Sequence, residues 1–276
     1  MLDITRSQEP LLRRLLEPYQ LLWSRREVLL QTVRINLLQR HAGSWLGAAW
    51  LILGPLLLIA TYGYMFVVVL NIRPPGMTVG QYLAHMCCGL LTYLVMSQAL
   101  SSAATSLTQD PGLVLNRVFP AELISFREVL TAVPLLIVGL GLSIPWGLSQ
   151  GTLGWNWLLL PVLLAFALMT LAGCAWILSL CNLLMRDTPQ ILAYVLMLLM
   201  LTSPIAYEAS MLPRQAQFLV SLNPFAYFLT AIQDIVVHGR PPSPLMLQGV
   251  VITALLAFHG GYALFRKGKI VIAENV

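Results

Sequence analysis

Few side chains in this sequence could act on another molecule, and they gather in one stretch, Gln109 to Glu128. It carries Asp110, Arg117, Glu122, Arg127 and Glu128 and two prolines, set between segments that are almost wholly apolar. A hairpin between two membrane helices closes in a few residues, so a stretch of this length has a further use. Its middle, Leu113, Val114, Leu115, Val118 and Phe119, is a poor surface for water alone. A short helix docked on a soluble protein would cover those side chains. A helix lying flat in the lipid headgroups fits the same pattern.

Elsewhere the chemistry is sparse. His85 with Cys87 and Cys88 lacks the second ligand pair that a metal site needs, so no metal is expected. Cys174 and Cys181 stand two turns apart, too far for a disulfide within one straight helix. No G-x-x-x-x-G-K-[ST] phosphate loop is present, and any uphill work must draw its energy from another polypeptide. Acidic and basic residues are expected outside the spans, which argues against a proton or ion relay. The aromatic rings of Trp50, Tyr62, Tyr64, Tyr93 and Tyr194 could stack on sugar faces along a path; helix packing or interface anchoring is the other use for each.

The elements that must position these residues are membrane helices. Apolar residues make up 58% of the 276 and charged residues 10%, against about 25% charged in a soluble domain. One domain over 1–276 is expected, with an interface segment at 1–45, a six-span bundle at 46–265 and a basic tail at 266–276. Residues 19–41 read as an amphipathic interface helix, with Gln20, Ser24, Glu27, Gln31 and Arg34 on one face and Leu22, Leu29, Val33 and Leu37 on another. Some forty residues with seven arginines precede the first apolar run, a pattern unlike a signal peptide.

Spans are expected at about 46–70, 82–107, 129–148, 157–185, 191–207 and 245–265. Asp187 or Thr188 would cap the fifth, with Pro189 in its first turn. Residues 208–244 hold an apolar run broken at Asn223-Pro224, and read as a re-entrant pair of short helices carrying Asp234 and His238. With the N-terminus inside, 13 of the 16 basic residues fall in inside segments and only Arg73, Arg214 and Arg240 outside. That bias favours both termini in the cytoplasm and explains the net charge of +5 without nucleic acid. Counting residues 218–238 as a seventh span would put the basic tail outside.

Several short motifs, in order, resemble the membrane subunits of ABC-2 exporters for cell-surface polysaccharides, the O-antigen permeases and their capsule and teichoic-acid relatives. Arg40, Gly43, Ser44, Leu46, Gly47, Trp50 and Pro55 are similar to the family's R-x-x-G-S-x-L-G-x-x-W, with His41 where an aromatic is usual. Phe119-Pro120-Ala121-Glu122-Leu123 is similar to F-P-x-E-I/L, and Asn182 with Arg186-Asp187 to an N-x-x-x-R-D turn. Ser203-Pro204, Met211, Pro213 and Leu222-Asn223-Pro224 follow in the family's order, while Gln233 stands before Asp234 where many members carry arginine.

The resemblance implies an all-α, six-span permease that binds no cofactor itself. It implies a homodimer bound to two ABC ATPase subunits, which hold the ATP and Mg, in a bacterial inner membrane, with a lipid-linked polysaccharide as cargo. Asn116, Arg117, Val118, Phe119, Pro120 and Glu122 would couple to the ATPase, with Arg186 and Asp187 in a second cytoplasmic turn. Pro204, Tyr207, Pro213, Asn223, Pro224 and Asp234 would form an outer gate. A drug or lipid exporter of the same fold, or a membrane-embedded glycosyl- or acyltransferase, are the other readings.

Overall fold

A computed structural model of the chain describes residues 11–40, 43–71, 74, 76–109, 112, 120–208 and 211–269. Among these residues the structure is all-helical. It opens with α1 (Leu11–Ser24) and α2 (Arg26–Arg40), separated at Arg25. The first span is α3 (Trp50–Gly63), finished by a π-helical turn over Tyr64–Val69 that Leu70 closes by donating to the Met65 carbonyl. Then come α4 (Val79–Gln109), α5 (Ala121–Thr131), α6 (Val133–Gln150), α7 (Leu160–Leu184), α8 (Thr188–Thr202), α9 (Arg214–Leu222), α10 (Pro224–Val236) and α11 (Pro244–Lys267).

Among the described residues, five helical stretches are long and apolar enough to cross a membrane: Trp50–Val69, Val79–Gln109, Ala121–Gln150, Trp155–Leu184 and Pro244–Lys267. The 15 residues of α8 reach about 22 Å at 1.5 Å each, short of the roughly 30 Å hydrocarbon core. The chain continues past its end through a buried segment, Ser203 to Ala206. Between α9 and α10 the axis turns by 98° at Asn223. A sharply bent pair of short helices is therefore present where the Asn-Pro break predicted one, because Pro224 has no N–H to continue the helix that ends at Leu222.

Three expectations change. The N-terminal amphipathic segment is two helices rather than one, and it reaches back to Leu11. The apolar side of α2, Leu29 and Val33, is seated on the bundle's own end beside Trp176, Phe258, Tyr262 and Phe265. The helix of the third span starts at Ala121 rather than near Val129, because α5 and α6 form one continuous apolar stretch, Ala121–Gln150. Glu122, Arg127 and Glu128 therefore ride on a spanning helix, buried within the chain, and do not belong to a surface loop.

The core lies between α4, α5, α7, α10 and α11. Where α7 crosses α11, Gly173 and Gly261 face each other. A Cβ on Gly173 would run into the carbonyl of Ala257, and one on Gly261 into the carbonyl of Gly173. Such small residues let two membrane helices approach backbone to backbone, where dispersion rather than water exclusion holds them. Farther in, three buried hydroxyls join three helices: Ser106 of α4 donates to Ser125 of α5 (3.3 Å), and Ser125 donates to Ser179 of α7 (2.8 Å). Ser179 in turn donates to the Trp176 carbonyl of its own helix.

Candidate functional site

Two regions at opposite ends of α4 carry the polar side chains. At the first, α5 leaves Pro120, whose carbonyl accepts from the Leu123 amide. Glu122 follows in its first turn, only 2% exposed. Its Oε1 lies 2.6 Å from Lys269 Nζ just beyond α11, and its carbonyl accepts from the indole N–H of Trp176 at 2.9 Å. Glu122 is thus an internal tie between α5, α7 and the end of α11, not the surface contact expected of it. Asn116, Arg117, Val118 and Phe119 lie outside the described residues.

One turn farther along α5 sits a cluster that the sequence reading does not bring together. Glu128, 5% exposed, takes four donated bonds. Arg127 gives two to Oε1, from Nε at 3.0 Å and Nη2 at 2.7 Å. Asn36 of α2 gives a third at 2.6 Å, and Arg40 Nη2 reaches Oε2 at 2.8 Å. The same Arg40 nitrogen donates to Ser102 of α4 at 2.8 Å. A buried carboxylate costs several kcal/mol to desolvate and is tolerated only when paired in this way. Beside it opens a polar cleft of about 440 Å³ between α2, α4 and α5.

At this same end, Asn182 donates to Thr108 at 3.2 Å and ties α7 to the last turn of α4. Arg186 and Asp187 follow in an exposed turn. Asp187 occupies the cap position of α8 without a side-chain cap bond, and the Thr188 hydroxyl donates back to the Met185 carbonyl at 2.7 Å. Neither side chain caps the helix as predicted; Pro189 does stand in its first turn.

At the far end the bent pair α9 and α10 is held by buried amides. Asn223, 2% exposed, donates to the Leu199 carbonyl (2.9 Å), Thr202 Oγ1 (3.0 Å) and Ser203 Oγ (2.9 Å), while its Oδ1 caps α10 at the Phe225 amide (2.9 Å). Gln233 donates to the carbonyls of Pro204 (3.0 Å) and His85 (3.1 Å). Tyr82 of α4 donates to the Ala206 carbonyl at 2.9 Å. The segment carrying Pro204 is thus pinned from α4, α10 and the bend itself. Tyr207 donates to the Leu201 carbonyl at 3.0 Å, and Pro213 stands at the start of α9. Asp234 meets an arginine six residues on: Arg240 Nη2 lies 2.7 Å from its Oδ1. An Arg–Asp pair is therefore present although residue 233 is glutamine.

Of the aromatic residues considered for a path, Trp50, Tyr64 and Tyr194 are exposed and Tyr62 stacks on Phe66 with ring centres 6.2 Å apart. Tyr93 drops out: it is buried, and its hydroxyl donates to the Leu196 carbonyl at 2.7 Å. A feature that could have been read is the polar stripe Ser97, Gln98, Ser101, Ser102, Thr105 and Gln109, which recurs every three or four residues along α4.

Comparison with known proteins supplies the context for these two ends. A sequence model of the ABC-2 type transporter family matches residues 28–237. The chain is 24% identical over 258 residues to the "O-antigen export system permease protein RfbA" of Myxococcus xanthus, covering 92% of this chain and 97% of that protein. Two proteins of the same name from Klebsiella pneumoniae are each 24% identical over 246 residues, covering 85% of this chain and 89% of theirs.

Proposed function

We infer that this chain, which belongs to the ABC-2 type transporter family, is the membrane subunit of an ATP-driven exporter that carries a lipid-linked, O-antigen-like polysaccharide across a bacterial inner membrane. The observation that carries this reading is the extent of the likeness to the O-antigen export permeases. It runs over 92% of this chain and 97% of the Myxococcus relative, and so takes in the basic end and the re-entrant end together.

In this reading both termini lie in the cytoplasm, and two copies of the chain meet two ATPase subunits there. The unpartnered apolar faces of α3 and α8, with Ile52, Leu56, Leu57, Tyr194, Leu198 and Leu201 exposed, are available for the second copy and for lipid. ATP-driven closure of the partner pushes on residues 110–120. Pro120 and Glu122 pass that movement to α7 through Trp176 and to the end of α11 through Lys269. The re-entrant pair at the other end is the outer gate, and a swing of α9 about the bend opens it. Two short helices meeting at 98° can part without melting a span, because each keeps its own backbone bonds.

Cells lacking the chain are expected to accumulate lipid-linked glycan on the cytoplasmic face and to lose it from the surface, with both restored by the intact chain. The intact chain is also expected to bring down an ATP-hydrolysing subunit in mild detergent, and replacing Arg117 and Phe119 by alanine to release it. Normal surface glycan in the deletion strain would refute the cargo. Absence of any ATPase under mild extraction would refute the coupling.

A further inference from the structure

The export reading leaves His85 of α4 without a use. The side chain is 3% exposed, and neither ring nitrogen has a hydrogen-bond partner. Among the described residues, five buried side-chain polar atoms lack a partner, and three of them gather here: both nitrogens of His85 and Oε1 of Gln233, whose amide nitrogen donates to the His85 carbonyl. Buried polar groups are nearly always paired, so this cluster marks a bond that forms under other conditions. Just past the end of α10, the half-buried ring of His238 stands 6.0 Å from that of His85, centre to centre. Two imidazoles joined by an N–H···N bond of roughly 2.9 Å would stand about 5 Å apart, so a closing of about 1 Å would make the bond.

We propose that His85 and His238 form an acid-operated latch: a proton taken up by His238 from outside is shared with the neutral His85 ring, and the bond ties the end of α10 to α4. Histidine is the side chain whose charge changes between pH 5 and 8. His238 takes the charge because it is the more exposed ring, and a charge on the buried one costs more. A charged imidazole donates from both nitrogens and makes the shorter, stronger bond. Of the ionisable groups around the pair, Glu208 after α8 acts on His85 through space, with the Tyr207 backbone beside it. Asp234, one turn back on α10, is held by Arg240. The Tyr82 and Tyr207 hydroxyls donate to the Ala206 and Leu201 carbonyls. Helices α3, α4, α6 and α8 carry no Asp, Glu, Lys or Arg. The Gln233 amide already bridges α10 to α4 and to the Pro204 carbonyl, so the latch tightens the grip on the segment from Ser203 to Ala206. That this holds an outer gate shut in acid rests on the export reading; the bond itself does not.

The test uses the full chain in nanodiscs with ¹⁵N-labelled histidine, of which there are only four, each assigned by single replacement. Between pH 8 and 5 the His238 signals are expected to titrate. One nitrogen of His85 is expected to move with the same midpoint while that ring stays neutral, and to stop moving in His238→Gln. Amide exchange at Val237, His238 and Arg240, whose N–H groups close the end of α10, is expected to be about tenfold slower in acid once corrected for the chemical rate, the effect of one charge-assisted hydrogen bond. His85→Leu removes no ring bond, so the variant is expected to elute as the parent and to lose the acid effect. The proposal is overturned if His238 does not titrate in this range, or if His85 stays unmoved while it does, as when the proton goes to Glu208 instead. It is equally overturned if the His85 ring itself becomes charged, if exchange quickens in acid, or if the slowing persists in a folded His85→Leu chain. Surface glycan is not read in this experiment, so the latch and the export reading can fail separately.

Discussion

Replacing Glu128 by glutamine tests whether the buried cluster, rather than apolar packing alone, holds α2 to the bundle. The side chain keeps its size, but its acceptor geometry breaks. Oε1 receives three donors, from Arg127 twice and from Asn36, so the amide oxygen must stay there. The amide NH2 then falls at the Oε2 position, where Arg40 Nη2 donates from 2.8 Å, and donor faces donor. The cluster also loses a negative charge while both guanidiniums stay in place. The Arg127–Glu128 pair has side chains 9% and 6% exposed, and breaking a pair buried that deeply costs about 3 kcal/mol. Arg40 is 25% exposed, so its share is screened to about 1 kcal/mol.

A total of about 4 kcal/mol is a large part of the 5–15 kcal/mol that holds a domain together. It is expected to lower Tm in detergent by roughly 10 °C, at about 2–4 °C per kcal/mol for a chain of this size. Adding Arg40→Gln to Glu128→Gln removes the uncompensated charge and is expected to restore about 1 kcal/mol, read as a coupling energy in a double-mutant cycle. Amide exchange should quicken in residues 26–40 while the α7–α11 crossing stays protected. A Tm within about 2 °C of the parent, or no coupling between positions 40 and 128, would refute the reasoning.

Gly173→Leu is expected to abolish monodisperse protein on size exclusion, because the new side chain meets the α11 backbone; Gly260→Ala, which meets nothing within 4 Å, should behave as the parent. Asn223→Ala removes the α10 cap and three donated bonds and should cost about 2–3 kcal/mol, raising the rate at which a cysteine placed at Ser203 is labelled from outside; an unchanged rate would show that the bend holds without it. Gln233→Leu takes from the Pro204 carbonyl its side-chain donor, while the His85 carbonyl keeps its bond within α4, and should cost about 1–3 kcal/mol in thermal unfolding. Arg240→Ala should cost less than about 1 kcal/mol, since that arginine side chain is 65% exposed.

The bend between α9 and α10 was legible because a local cause produces it: Asn223 caps and Pro224 interrupts within two residues. The spans were legible for the same kind of reason, a long apolar run. The start of the third span was not, because Glu122, Arg127 and Glu128 look like loop residues until their partners are known. Lys269, Arg40 and Asn36 come from distant segments, and no window of sequence brings them together. The α8 cap failed for a smaller reason: Thr188 spends its hydroxyl on Met185. Tyr93 reads like its neighbours on composition, and only its burial beside Leu196 separates it from the exposed rings.

The hydroxyl relay from Ser106 through Ser125 to Ser179 also carries an expectation about the order of assembly. Ser106 and Ser179 each have a carbonyl of their own helix to fall back on, Ala103 at 2.8 Å and Trp176 at 3.2 Å, so either helix can enter the bilayer with its hydroxyl already satisfied. The bond that Ser125 donates goes to a helix synthesised later. The same helix holds Glu122, whose ammonium partner Lys269 is translated later still. On this ground α5 is expected to complete its polar contacts last, after α7 and the end of α11 have been made.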